Sequence, residues 1–273
     1  MRTIILLLAA AAAFGQTPAD QPPVERAYAL LNTALQNNNP VKRAYALESM
    51  GIINPNPRAV GIVEGMLEDK DLGVRQAACS TLGEMKSRSS IPKLQEMLND
   101  AAPEVAFAAA RALYDMGDPA GRAVLIAILS GDQADSSGVL SSSLREAKLT
   151  LHDPKALLII GAKTGVSLAG FGLTVPIADR LLKDRDSSGK TAAVLLLSTD
   201  SDPRSKEAIR AALSDKNLTV RVAALRAVAT RGLHEFYDDV TPMLDDKNDD
   251  VEYSAASAVI RLRQTAPAPR QKK

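Results

Sequence analysis

The residues that could do chemistry are few and scattered. Gly161-Ala162-Lys163-Thr164-Gly165 follows the apolar run Leu157-Leu158-Ile159-Ile160, a context in which a glycine-rich loop could cradle phosphate. A phosphate-binding loop ends in Gly-Lys-Ser/Thr, and Ala162 stands where that Gly is required. Asp184, Asp186, Ser188 and Gly189 match the first half of an EF-hand calcium loop. Its last position calls for a bidentate Glu and holds Leu195. Asp245 to Asp250 is equally acidic but has neither the Gly nor the Glu. Both acidic stretches read as structural turns. The two histidines, His152 and His234, lie far apart and make neither a metal cluster nor a nucleophile–base–orienter set. Ser136, Ser137 and Ser141 to Ser143 read as loop formers. No motif supports catalysis, a metal site or a bound cofactor.

Composition narrows the partners. Lys plus Arg number 33 against 32 for Asp plus Glu, a net charge of +1, so no excess of positive charge favours broad nucleic-acid binding. A single cysteine, Cys79, excludes a disulfide framework. Charged residues at 24% and hydrophobic residues at 46%, mostly Ala and Leu, suit a packed globular chain.

Residues 1–15 have the pattern of a secretory signal. Met1-Arg2-Thr3 is a basic start, Ile4 to Ala13 is an uninterrupted apolar run, and Ala13-Phe14-Gly15 offers small residues to a signal peptidase. The run is shorter than the roughly 20 residues that span a bilayer. Cleavage near Gly15 is expected, and losing Arg2 leaves the exported chain neutral. Residues 16–23 read as a Pro-rich leader and 265–273 as a loose basic tail.

The elements between them are set by repetition. Asp69, Asp100, Asp184, Asp215 and Asp246 each stand five residues before a column of Val74, Val105, Gly189, Val220 and Val251. Consecutive members are 31 residues apart, except for one gap of 84 after Asp100. Three and four places beyond the Val come Ala77-Ala78, Ala108-Ala109, Ala192-Ala193, Ala223-Ala224 and Ser254-Ala255. Eight beyond it come Leu82, Leu113, Leu197, Val228 and Val259. Spacings of three, four and eight mark one face of a helix, and the small pair admits a close neighbour. A second helix follows in each copy. Its start is marked by Asn56-Pro57, Asp118-Pro119, Asp153-Pro154 and Asp202-Pro203, a capping side chain ahead of a proline that has no N–H to satisfy. A helix pair that cannot bury its apolar face alone must stack on its neighbours.

The Asp-x-Asp/Asn-x-x-Val-Arg-x-Ala-Ala pattern of Asp69–Ala78 and Asp215–Ala224 resembles a HEAT repeat, most closely the short bacterial type of phycobilin-lyase-like proteins. The resemblance covers roughly Pro40 to Leu262, with a less regular opening copy at Lys42–Gly51. It implies an all-α fold, an α-solenoid of about seven stacked helix pairs over residues 24–264, and a binding or scaffold role.

Further readings follow from the columns. Cys79 falls where other copies carry Ala110, Val194, Leu225 and Ala256, so a buried, unreactive thiol is expected. Arg75, Arg145, Lys190 and Arg221 recur one place beyond the Val and should pair with the Asp column between copies. As exposed pairs they would contribute about 0–1 kcal/mol each. Glu64, Gln95, Ile126, Arg210 and Thr241 form one row of the second helices, expected on the concave side. Their mixed chemistry suits an individual protein or peptide partner, or no contact there at all, rather than a repetitive polymer.

The long gap retains one copy at Leu144-Arg145-Glu146-Ala147, flanked by a Ser-rich insertion at 131–143 and a Gly-rich one at 156–178. The second insertion has three readings: a broken second helix, a groove insert contributing Lys163 and Phe171 to a partner site, or a membrane-contacting hairpin. The leading function is a secreted, non-catalytic protein-interaction or scaffold module of the bacterial cell envelope. The alternatives are a lyase-like or chromophore-handling accessory protein and a membrane-associated envelope scaffold.

Overall fold

The computed structural model describes residues 22–130 and 185–266, which are helical apart from short turns. The signal segment, the leader up to residue 21, both insertions with Lys163 and Phe171, the copy at Leu144–Ala147, His152 and the tail from residue 267 lie outside the described residues. In chain order the α-helices are α1 (Pro23–Leu35), α2 (Pro40–Met50), α3 (Pro57–Gly65), α4 (Leu72–Glu84), α5 (Ile91–Met97) and α6 (Pro103–Asp115). They continue with α7 (Pro119–Ser130), α8 (Arg185–Leu197), α9 (Pro203–Ala212), α10 (Leu218–Arg231), α11 (Tyr237–Val240) and α12 (Asp249–Thr265).

The recurring turn shows why each first helix starts where it does. The Asp column folds the chain back, Asp69 accepting the Asp71 N–H at 2.8 Å and Asp215 that of Asn217 at 2.9 Å. Two residues on, the capping side chain takes over. Asp71 accepts the Gly73 N–H, Asn217 that of Thr219 and Asn248 that of Asp250. Asn37 and Asn39 perform the same two steps ahead of α2, so the opening copy keeps the geometry with amides. Three of the four expected caps of the second helices are in place: Asn56 accepts the Ala59 N–H, Asp118 that of Ala120 and Asp202 that of Arg204, while Asp153 lies outside the described residues. In the copy of α8 the described residues begin at Arg185 and are already helical, so Asp186, Ser188 and Gly189 lie on a helix.

The first helices pack side by side, α2 on α4 and α4 on α6, with α8 on α10 and α10 on α12. Ala77-Ala78, Ala108-Ala109, Ala223-Ala224 and Ser254-Ala255 are buried in these contacts; Ala192-Ala193, on the outermost helix of the described row, are exposed. The closest approach is at Gly83, where an added Cβ would sit 2.8 Å from the Cβ of Ala112 on α6.

The expected all-α solenoid is present, with two features that periodicity did not announce. The row does not follow chain order, because α12 packs against both α2 and α1. The described first helices therefore run α8, α10, α12, α2, α4, α6 in space. Second, Arg226 on α10 pairs with Glu84 on α4, although α12 and α2 lie between those helices in the row. Such a contact requires the row to bend sharply with the first helices inside. The second helices are the outer layer, not the concave one, and α9 accordingly buries only Ser205 and Ile209.

Replacing Gly83 by Val should destabilise the fold by about 1–3 kcal/mol through overpacking against Ala112, measured by urea unfolding. Unchanged stability would show that α4 and α6 are not in such close contact.

Candidate functional site

The basic column and the Asp column meet between copies as expected, in a ladder. Arg43 donates to both carboxylate oxygens of Asp69, at 2.9 and 2.7 Å, and Arg75 to both of Asp100, at 2.7 and 2.9 Å. Arg221 reaches Asp246 at 3.1 Å and Lys190 reaches Asp215 at 2.7 Å. Each arginine also donates to carbonyls of its own turn: Arg43 to Asn37, Arg75 to Asp69 and Arg221 to Asp215. One guanidinium thus closes its own turn and grips the next.

The burial of these pairs was not legible in the sequence. The side chains of Arg43 and Asp69 are only 6% and 11% exposed, while Lys190 is 59% exposed. Burial pushes the Asp69 carboxyl up, but the Arg43 hydrogen bonds, the Asp71 N–H and the Arg43 charge outweigh it and hold it below its ordinary value. Asp100 shows the same balance with Arg75 and Ala102. Three of the pairs are therefore internal struts rather than surface decoration.

The expected partner row is engaged within the array. Glu64 accepts the Ser90 hydroxyl at 2.7 Å and pairs with Lys93 at 2.8 Å. Gln95 donates to Asp118. Arg210 donates to Asp239 at 3.1 Å and lies over the Phe236 ring. The Thr241 hydroxyl turns back to the Tyr237 carbonyl. Glu64, Gln95 and Arg210 thus reach from one outer helix to the next. Ile126, in the same row, is 57% exposed; Tyr114 on α6 and Leu196 on α8 are also exposed apolar positions.

Cys79 is fully buried, and burial pushes its thiol up to about 12, which makes it unreactive at neutral pH. His234 opens a short turn ahead of α11 and is half-buried rather than exposed. Among the described residues no group of His, Cys, Asp and Glu is placed to hold a metal ion, and no helix is long and apolar enough to cross a membrane.

The polar centre that sequence reasoning missed is Arg226 with Glu84 and Glu48. Burial lowers the Arg226 guanidinium to about 10, while the nearby Glu48 charge favours its protonated form. Gly51 makes room for the Glu84 carboxylate, which occupies the space a Cβ would take. Arg226 and Glu48 both stand six places beyond the Val position, in a column that is otherwise mixed, and only the bend of the row brings them together.

Among solved structures, human deoxyhypusine hydroxylase is similar at 17% identity, covering 89% of this chain and 97% of that one, with a TM-score of 0.34. The CpcE–CpcF complex of phycocyanin lyase from Nostoc is similar at 20% identity over 95% of this chain and 100% of that one, also at 0.34. No curated protein matches the chain by sequence.

Asp69→Asn keeps the turn acceptor but leaves the Arg43 charge uncompensated, and should cost about 3 kcal/mol in urea unfolding. Asp215→Asn, opposite an exposed lysine, should cost about 0–1 kcal/mol. The depressed Asp69 carboxyl contributes stability that is complete above the ordinary value of 3.8 and lost as pH falls through its lower folded value. Asp69→Asn should flatten that acid limb; equal costs for the two variants would refute the strut assignment.

The family model described as HEAT repeats matches residues 26–106, 61–138 and 174–260, more than half of the sequence, and the chain belongs to the HEAT-repeat family.

Proposed function

We propose that this protein is an exported, non-catalytic scaffold of the bacterial cell envelope that binds a protein or peptide partner by shape. The observation that carries this reading is the HEAT array itself, whose repeats commonly serve protein–protein interaction. Near-even charge supports a protein partner over a polyanion. The export half of the reading rests on the basic and apolar pattern of residues 1–15. With the row of Glu64, Gln95 and Arg210 committed to neighbouring helices, recognition falls to other surface positions. Ile126 is the exposed apolar member of that row, and Tyr114 is exposed on the adjoining helix α6.

The test expresses the full chain in a bacterial host and follows both halves of the proposal. Intact mass of the exported protein should place the mature N-terminus near Gln16. Bait carrying that mature chain should retain one envelope protein near equal stoichiometry, and Ile126→Asp should release it without changing the helical circular dichroism. An uncleaved cytoplasmic product would overturn export. Failure to retain any stoichiometric protein would overturn the scaffold reading.

A further inference from the structure

The order of helices in space differs from their order in the chain at one point, and the contacts there have the form of an ordinary joint between copies. In the outer layer, α9 packs against the two first helices α8 and α10. The corresponding place between α12 and α2 is filled by α1, which packs against both. Its apolar face of Ala27, Tyr28, Leu31, Ala34 and Leu35 is buried there. Those residues follow the three- and four-residue spacing of an amphipathic helix seated in a groove.

The outer row is continuous through α1 by the same kinds of contact used elsewhere. Between α9 and the following outer turn, Lys206 pairs with Glu235, and Arg210 pairs with Asp239 and covers Phe236. Across the joint, Arg26 of α1 pairs with Asp245. On the other side Arg58 of α3 pairs with Glu25 at 2.8 Å and covers Tyr28 at 3.8 Å from the ring centre. The outer order is therefore α9, α11, α1, α3, α5, α7, in step with the inner row.

The inner joint is equally specific. Ser49 and Ser257 share a buried hydrogen bond at 3.1 Å between α2 and α12. The backbone of Asn54 donates to the Gln264 side chain at 3.0 Å and accepts from it at 3.2 Å. Lys42 pairs with Asp249 at 2.5 Å. At this joint the ladder changes chemistry. Asn37 replaces the Asp, and Glu252 stands one place beyond Val251, where Arg75, Lys190 and Arg221 stand in other copies. Two changes of charge at one step keep a carboxylate from following a carboxylate across the joint.

We propose that α1 is the second helix of the last copy, and that the terminal joint is a clasp holding residues 22–130 to residues 185–266 independently of the peptide link between them. The clasp makes the two segments one stacked array in permuted order. It also defers completion of the fold, since the groove for α1 exists only once α12 has formed.

The test uses the full chain with a protease site inserted after Gly138. After cleavage, the two fragments should co-elute as a 1:1 complex at the volume of the uncut protein. In a second chain, with Cys79→Ala, the pair Ser49→Cys and Ser257→Cys should form an intramolecular disulfide on mild oxidation. The cut fragments should then remain linked in denaturant until reduced. Separate elution of the cut fragments, or failure of the paired cysteines to link within one chain, would overturn the clasp.

Discussion

Everything in this array depends on a carboxylate that serves two masters. At Asp69, Asp100 and Asp246 it accepts a backbone N–H two residues ahead, folding the turn that leads into its own helix, and accepts from the arginine of the preceding copy in the row. A turn acceptor alone would set local geometry, and an ion pair alone would be weak and easily screened. Combined and largely removed from water at Asp69 and Asp100, they tie the position of one copy to the backbone of the next. The guanidinium completes the link by donating to carbonyls of its own turn. Copies joined in this way can stack only at one register, which is what lets small residues meet with little room to spare at Gly83 and Ala112.

Much of this was legible in the residues because it is local and periodic. The Asp and Asn caps, the small pairs, the buried Cys79 and the pairing of the two charged columns all follow from spacing within one copy or between adjacent ones. The periodic pattern could not reveal how deeply the ladder is buried, since burial depends on side chains from neighbouring copies. The concave placement of the second helices came with the resembled architecture, and spacing could not correct it: helical spacing identifies an apolar face, not the direction in which a row of such helices bends. The row of Glu64, Gln95 and Arg210 illustrates the consequence. Their differing chemistry left open a partner or no contact there, and in the structure each side chain is matched to a different neighbour on the next outer helix.

The junction of α12 with α2 was hidden for a related reason. A repeat offers similar faces at every step, so periodicity alone cannot say which copies are neighbours when the chain is long enough to return. Only departures from the pattern carry that information. Asn37 in place of Asp, Glu252 in place of a basic residue, and the opposite charges of Arg226 and Glu48 within one column are such departures. Arg226 is largely enclosed and has carboxylates beside it, so it ties the curvature of the inner row to a cost in desolvation that a straight array would not incur. A HEAT array bent in this way presents an outer surface knitted by ion pairs and ring contacts, leaving exposed apolar positions such as Ile126 as the exceptions.

The central claim is that the first and last copies are neighbours in one row. Spin labels at Lys42→Cys on α2 and Asp249→Cys on α12, with buried Cys79 replaced by Ala, test it by the dipolar interaction between them. The account predicts strong broadening of the continuous-wave spectrum in the doubly labelled monomer, since the native side chains at these positions touch. A spectrum equal to the sum of the two singly labelled proteins would contradict it.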